Sequence, residues 1–304
     1  MRAVSLWICG NIQDYTLRLM EYINRQKNSP FVVHAYFELE KLPHKKDSSD
    51  ILLIDSELYE EQESLLEFTC IILLDEGNVK KALAGYPCIF KYQPAKAVYN
   101  RLLEIYLERE HMVEPAHRVG GAYVVAVYSP AGRIGKSDFT RKFGIREGYG
   151  KRLNINLELF TRTEHSSGIT DVLYYFRQQR GNLSRKIELT AESEGELDSL
   201  GGAACPWDLF DVSVDEWKDF FQQLKTEGYY DLIVADVGYL PQNPEFFRCF
   251  DKVYIPYIQE DKVLGKVTAF EAVLEFIEFG GREELFEKVK LEQNEGGVVS
   301  YELL

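Results

Sequence analysis

Pro130-Ala131-Gly132-Arg133-Ile134-Gly135-Lys136-Ser137 decides how this chain is read. An apolar run, Tyr123-Val124-Val125-Ala126-Val127-Tyr128, precedes it, and Asp138-Phe139-Thr140-Arg141-Lys142-Phe143 follows. The order is strand, tight loop, helix, with Gly-Lys-Ser at the turn, which is the context a phosphate-binding loop requires. In such a loop, backbone N–H groups and the N-terminus of the following helix converge on one spot and favour an anion there. Lys136 would neutralise the outer phosphates, and the Ser137 hydroxyl would ligate Mg²⁺. The pattern G-x-x-x-x-G-K-[S/T] is incomplete, because Pro130 stands at its first glycine, where it removes a backbone donor and fixes φ. The competing reading is an ordinary β–α turn with a solvated lysine.

Two further segments bear on this choice. Arg152 to Phe160 reads as a strand ending near the carboxylate of Glu158. Tyr230-Asp231-Leu232-Ile233-Val234-Ala235-Asp236-Val237-Gly238 is an apolar strand ending in an acid, with glycine two residues on. An acid at a strand tip beside a phosphate loop can hold Mg²⁺ and its hydration shell. Gly238 would let backbone approach the terminal phosphate. Many buried strands end in an aspartate for local reasons, so the weight lies in the order of the three elements. Asp251 to Tyr257 reads as one more strand, followed by a helix from Lys262 to Phe279.

Composition narrows the classes. The chain has 304 residues, enough for two domains, and is 45% hydrophobic. No apolar run approaches the roughly 18 residues of a membrane helix, and the N-terminus lacks the pattern of a signal peptide. Five cysteines are scattered without a C-x-x-C pair, which suggests neither a zinc site nor a disulfide framework and fits a reduced cytoplasmic protein. The net charge of −14, from 49 acidic and 35 basic residues, argues against broad nucleic-acid binding. Arg141, Lys142, Arg146, Lys151 and Arg152 cluster after the loop and read as a solvated face. The five histidines are isolated, and the aromatic clusters Tyr174-Tyr175-Phe176 and Trp217, Phe220 and Phe221 read as core.

The first ~115 residues alternate strands (3–9, 31–37, 50–55, 70–74, 88–92) with helical patterns (13–26, 97–107), which implies a doubly wound parallel sheet. A polar, Pro-containing stretch, 108–117, marks the boundary. The expectation is two doubly wound, three-layer α/β domains, 1–115 and 120–304. Glu192 to Gly202, acidic and rich in Gly and Ser, reads as a surface loop. The tail after Lys288 reads as a last strand or a disordered end.

The first half resembles a response-regulator receiver domain, of flavodoxin-like fold, with Asp55 at the end of the third strand and Lys91 after the fifth. Cys9-Gly10-Asn11 stands where receivers carry an acidic pair for Mg²⁺, and Leu74-Asp75 where they place Thr or Ser. Aspartyl phosphorylation needs the metal, so the resemblance implies a pseudo-receiver used for docking.

The half from Tyr123 to Phe279 resembles the MinD/ParA class of P-loop ATPases. Gly132, Gly135, Lys136 and Ser137 match its K-G-G-x-G-K-[T/S] loop, Asn156-Leu157-Glu158 stands at its D-x-D strand, and Asp236 and Gly238 match the segment after its Walker B strand. A receiver-like domain ahead of a MinD-like one is the layout of the TadZ/CpaE family, which localises Tad-type pilus assembly machinery. The resemblance implies ATP and Mg²⁺ as ligands, with Gly132, Arg133, Ile134, Gly135, Lys136, Ser137, Asp138 and Gly238 at the nucleotide, Ser137 and Asp236 at the metal, and Glu158 and Asp236 as the catalytic acids. It implies a homodimer and pilus or secretion machinery as partners, no specific nucleic acid, and membrane association at most through partners, in the cytoplasm or at the cell pole.

Departures from the family pattern bear on catalysis. The signature lysine falls on Ala131, the second loop glycine on Arg133, and the first acid of D-x-D on Asn156. A longer, displaced carboxylate at Glu158 disturbs a geometry held to fractions of an ångström, and a missing cation leaves developing charge uncompensated. The expectation is nucleotide binding with weak or absent hydrolysis. The alternatives are an active ATPase cycling on a partner or surface, and a structural pseudo-ATPase that binds no nucleotide. Arg133 is a candidate replacement for the missing lysine, in cis or in trans.

Overall fold

A computed structural model describes residues 4–26, 29–42, 50–59, 68, 70–77, 85–110, 121–145, 148–160, 168–179, 181–294 and 297–303. The chain divides into two compact units, Met1–Met112 and Val113–Leu304.

In the first unit, strands β1 (Val4–Cys9), β2 (Phe31–Tyr36), β3 (Ile51–Asp55), β4 (Cys70–Asp75) and β5 (Cys88–Phe90) form one sheet, with helices α1 (Gln13–Asn24) and α2 (Ala95–Glu110). The strand order is β2-β1-β3-β4-β5, and every pairing is parallel. This is the flavodoxin-like order, which reverses direction between β1 and β3 and opens a crevice at their carboxyl ends. All five residues of β3 are buried. That explains its unbroken apolar run, since a central parallel strand is covered on both faces. The 108–117 boundary predicted from sequence lies largely outside the described residues, as do His44, His111, His117, Arg146 and His165.

The second unit carries β6 (Tyr123–Tyr128), α3 (Lys136–Gly144), β7 (Arg152–Leu157), α4 (Gly168–Arg177), α5 (Leu183–Thr190), β8 (Glu192–Glu194), β9 (Leu197–Leu200), α6 (Pro206–Phe210) and α7 (Val214–Glu227). It continues with β10 (Leu232–Val237), β11 (Lys252–Tyr257), α8 (Asp261–Phe276), α9 (Arg282–Leu285), β12 (Phe286–Asn294) and β13 (Gly297–Leu303). Eight strands form one sheet in the order β13-β12-β11-β6-β10-β7-β9-β8, parallel except for the antiparallel edges β13 and β8. β6, β10 and β7 run side by side in register, with Val127 opposite Asp236 and Asp236 opposite Asn156. Their carboxyl ends are therefore level, and the three segments that follow them meet at one rim.

Aromatic packing holds this frame. Phe139 and Phe143 on α3 pack edge-on and tilted against Tyr254 of β11, with ring centroids 6.5 and 4.9 Å away. Trp217, Phe220 and Phe221 are buried on α7 and meet Phe246 and Phe250. A capping box between Ser213 and Glu216 starts α7, and Gly228, at φ 60°, ends it. Tyr175 is buried as expected, but Tyr174 is largely exposed.

The expected surface loop at 192–202 is instead a hairpin at the sheet edge. Its acidic residues hide an apolar set: Leu197 and Leu200 are buried, and β9 pairs in parallel with β7. Asp198 is fully buried between them, accepting hydrogen bonds from Lys151 (2.9 Å), Ser193 (2.6 Å) and Tyr230 (2.9 Å). Burial and the adjacent Asp198 charge push the Tyr230 hydroxyl far above its ordinary pKa, so it stays a donor to that carboxylate. Lys151 is thus committed to Asp198, and Arg141 faces Glu194 at 3.7 Å. The hairpin engages Lys151 of the basic cluster, while Arg141 stays on a solvated face. The tail forms the strand pair β12–β13.

Candidate functional site

The loop between β6 and α3 is held by two inward anchors, Ala131 and Ile134, both buried. Between them Gly132 and Arg133 are exposed. The Ala131 N–H donates to the Ser129 hydroxyl at 3.2 Å. Gly135 adopts the left-handed conformation (φ 80°) at the helix start, which glycine does at no steric penalty. The first helical bond runs from the Phe139 N–H to the Gly135 carbonyl at 2.9 Å. The N–H groups of Lys136, Ser137 and Asp138 therefore belong to the first turn, where no intrahelical acceptor exists and the helix dipole is positive.

Two carboxylates converge on the same place. Asp236 is the penultimate residue of β10 and is buried. Glu158 follows β7 directly, and its N–H donates to the Asn156 side chain at 2.8 Å, which turns the chain at the strand tip. Lys136 donates to Glu158 Oε1 at 2.5 Å and to Asp236 Oδ1. Gly238 closes the arrangement. A Cβ built there would lie 2.0 Å from Glu158 Oε2 and 2.8 Å from the Glu158 Cα. Glycine is needed because Glu158 approaches this backbone so closely, a second reason beside the phosphate approach read from sequence.

The loop and Glu158 border a cavity of about 540 Å³. Gly132, Arg133, Gly135, Lys136, Ser137, Asp138, Glu158 and Gly238 line it. The structure thus brings together these sequence-singled residues, with Asp236 beneath Lys136. Ile134 contributes differently: its side chain is buried as a loop anchor. Tyr239 and Leu240 also border the cavity and were not singled out. Their only signal is their place directly after Gly238.

The oxygen donors suit a hard cation. The Ser137 hydroxyl and the Asp236 carboxylate match what Mg²⁺ takes, since it binds through one or two protein oxygens plus substrate phosphates. Among the described residues no group of three or more His, Cys, Asp or Glu forms a metal cage, so a Mg²⁺ here would depend on a phosphate ligand.

The first unit holds a second polar cluster at its own crevice. Lys91, fully buried, donates to Asp55 Oδ2 (3.0 Å), Glu76 Oε1 (3.0 Å) and Asn11 Oδ1 (3.1 Å). The Asn11 N–H also donates to Asp55 Oδ2, at 2.8 Å, and the Tyr15 hydroxyl donates to the Lys91 carbonyl, at 2.9 Å. Burial alone would lower the Lys91 pKa, but the hydrogen bonds and charges of Glu76 and Asp55 outweigh it, and the pKa stands above its ordinary value. Asn11, read from sequence only as a missing acid, is a structural partner of both Asp55 and Lys91.

No family model matches the chain, and no curated protein matches it. No helix among the described residues is long and apolar enough to cross a membrane. Among solved structures, the chain is similar to a MinD cell division protein from Aquifex aeolicus, 19% identical over 59% of this chain and 75% of that one, with a TM-score of 0.41. It is similar to a septum site-determining protein MinD complexed with Mg-ADP from Pyrococcus horikoshii OT3, 16% identical over 56% and 68%, with a TM-score of 0.39. It is also similar to a ParA family ATPase from Chlorobium tepidum TLS, 14% identical over 56% of this chain and 73% of that one, with a TM-score of 0.45.

Proposed function

We propose that residues 120–304 form a nucleotide-binding domain that takes ATP with Mg²⁺ in the cavity above Lys136, and that hydrolysis there is weak or absent. One observation carries the reading: Lys136 at the start of α3 meets Asp236 at the tip of β10 and Glu158 at the tip of β7, on a cavity floored by the 129–137 loop. The helix N-terminus and Lys136 bind the phosphates. Ser137 and Asp236 would hold Mg²⁺ beside them, where it would screen the phosphate charge. Glu158 is the acid within reach of a terminal phosphate, and its bond to Lys136 must break or rearrange for phosphate to enter.

The polypeptide as a whole is read as an ATP-binding scaffold of the MinD/ParA class, with the TadZ/CpaE layout. It acts as a homodimer that localises pilus or secretion machinery. Residues 1–115 are a pseudo-receiver used for docking. The Lys91–Asp55 pair supports that part: Asp55 Oδ2 already accepts two hydrogen bonds, one from a buried ammonium. Specificity for ATP over other triphosphates rests on the family resemblance of the motifs.

A ligand bound only by the folded state raises stability by RT ln(1 + [L]/Kd), about 2.7 kcal/mol at a hundredfold excess over Kd. Thermal unfolding of the second unit with and without MgATP tests the proposal. The expected result is a raised midpoint in the wild type and none in Lys136→Ala. An equal shift in both, or none in either, would count against it. Single-turnover phosphate release measured on the same samples separates slow hydrolysis from none.

A further inference from the structure

We infer that Arg133 is a phosphate-contacting residue of the nucleotide site, supplying in cis the cation that Lys136 alone does not offer. The inference rests on the nucleotide-binding reading above and adds the residue that first meets the ligand's negative charge.

Three described non-glycine residues have positive φ: Arg133 (62°), Gln179 (51°) and Glu278 (51°). Gln179 follows α4, and Glu278 follows α8. Both sit just past a helix C-terminus, where a left-handed residue is an ordinary cap. Arg133 has no such explanation. It sits inside the loop, between the buried anchor Ala131 and the buried anchor Ile134. The anchors fix the chain on both sides, and the left-handed turn presents the Arg133 side chain outward. Glycine would adopt that conformation without penalty. A long cationic side chain is held there instead, and such strain persists where surrounding structure enforces it and concentrates at ligand clamps.

The charge inventory of the cavity supplies the second observation. Its lining includes two cations, Lys136 and Arg133, and two anions, Glu158 and Asp138. Lys136 is bridged to both Glu158 and Asp236, so its charge is already compensated. Arg133 makes no hydrogen bond or ion pair among the described residues. It is the one lining cation there whose charge is left for a ligand. A guanidinium also offers several donors in a fixed fork suited to phosphate oxygens. Once Arg133 compensates part of the incoming charge, Lys136 can leave Glu158 for the phosphates.

The test titrates full-length wild type, Arg133→Ala, Arg133→Gly, Arg133→Lys and Lys136→Ala with MgATP and, separately, with inorganic tripolyphosphate plus Mg²⁺. Melting midpoints are recorded without ligand. The expected result is at least a tenfold loss of affinity for both probes in Arg133→Ala and Arg133→Gly, with Arg133→Lys losing clearly less. Arg133→Gly should also raise the ligand-free melting midpoint, by roughly 2–4 °C for a unit of this size. Opposite signs of stability and affinity in one variant are what a purely structural residue would not give. Wild-type affinity in Arg133→Gly, or a lowered midpoint in that variant, would overturn the inference. If those variants bind as wild type while Lys136→Ala does not, only this inference fails. If the wild type binds neither probe, the nucleotide reading fails with it.

Discussion

Replacing Gly238 with alanine places a methyl carbon 2.0 Å from Glu158 Oε2, 2.3 Å from its Cδ and 2.8 Å from its Cα. The carboxylate can swing aside, but doing so breaks its 2.5 Å contact with Lys136. The Cα cannot swing. It belongs to the strand end where the Gly238 N–H donates to the Leu157 carbonyl at 3.2 Å, so β7 and β10 must part locally. Overpacking of this kind costs about 1–3 kcal/mol, and a backbone clash puts the value near 2. Gly132→Ala is the matched control, because a Cβ there meets nothing within 4 Å, and surface changes of that sort stay within about 0.5 kcal/mol. The assay is urea unfolding followed by tryptophan emission. Of the three tryptophans, Trp7 lies in the first unit, while Trp207 and Trp217 lie in the second. A Trp7→Phe background therefore reports the second unit alone. With an m value of about 2–3 kcal/mol/M, the Gly238→Ala midpoint should fall by about 0.7–1 M. A midpoint within about 0.2 M of the background protein would refute the claim that Glu158 packs against this backbone.

Three further outcomes follow from the geometry. Glu158→Gln removes one negative charge from the cavity wall. Coulomb's law for charges about 8 Å apart at an effective dielectric near 40 gives ~1 kcal/mol, so Mg²⁺-free ATP should bind roughly fivefold tighter, read by calorimetry. Asp198→Ala removes a fully buried carboxylate and leaves the buried Tyr230 hydroxyl and the partly buried Lys151 without their acceptor. It should cost about 3 kcal/mol or more in the same urea assay, with amide-exchange protection lost first in the 192–200 hairpin. The Lys91 cluster predicts a pH profile for the first unit. Bonds from Lys91 and Tyr92 hold the Glu76 pKa below its ordinary value, so that contribution is present above about pH 4.3 and is lost as pH falls through the depressed pKa. The Lys91 pKa is raised, so its contribution is full below about pH 10.4 and is lost as pH rises through the higher folded value. Unfolding followed by Trp7 should therefore show a plateau between about pH 5 and 10, and in Lys91→Met both flanking losses should shrink.

What the sequence revealed and what it hid have different physical causes. Central parallel strands announce themselves, because burial on both faces demands continuous apolar runs: Tyr123–Tyr128 appears with the bounds its run suggests, and the run from Tyr230 to Gly238 holds the strand Leu232–Val237. The loop was legible because Gly135 and Lys136 have fixed jobs at a strand–helix turn. The edge hairpin at 192–200 was hidden because only Leu197 and Leu200 face apolar surroundings, while Asp198 is buried by partners that are distant in sequence. The Asn11–Asp55–Lys91–Glu76 cluster was partly legible. Asp55 and Lys91 sit at strand ends, but the roles of Asn11 and Glu76 depend on partners 44 and 15 residues away in sequence, which local pattern does not carry. The compensation of Lys136 by two acids also needed three-dimensional proximity, since Asp236 is 100 residues downstream.

The most direct test of the central claim is isothermal titration of MgATP into the full-length protein beside Lys136→Ala. The expected result is saturable binding with one nucleotide per chain in the wild type and none in the variant. Equal binding in both would place any nucleotide elsewhere than the 129–137 loop, and no binding in either at millimolar MgATP would contradict the account outright.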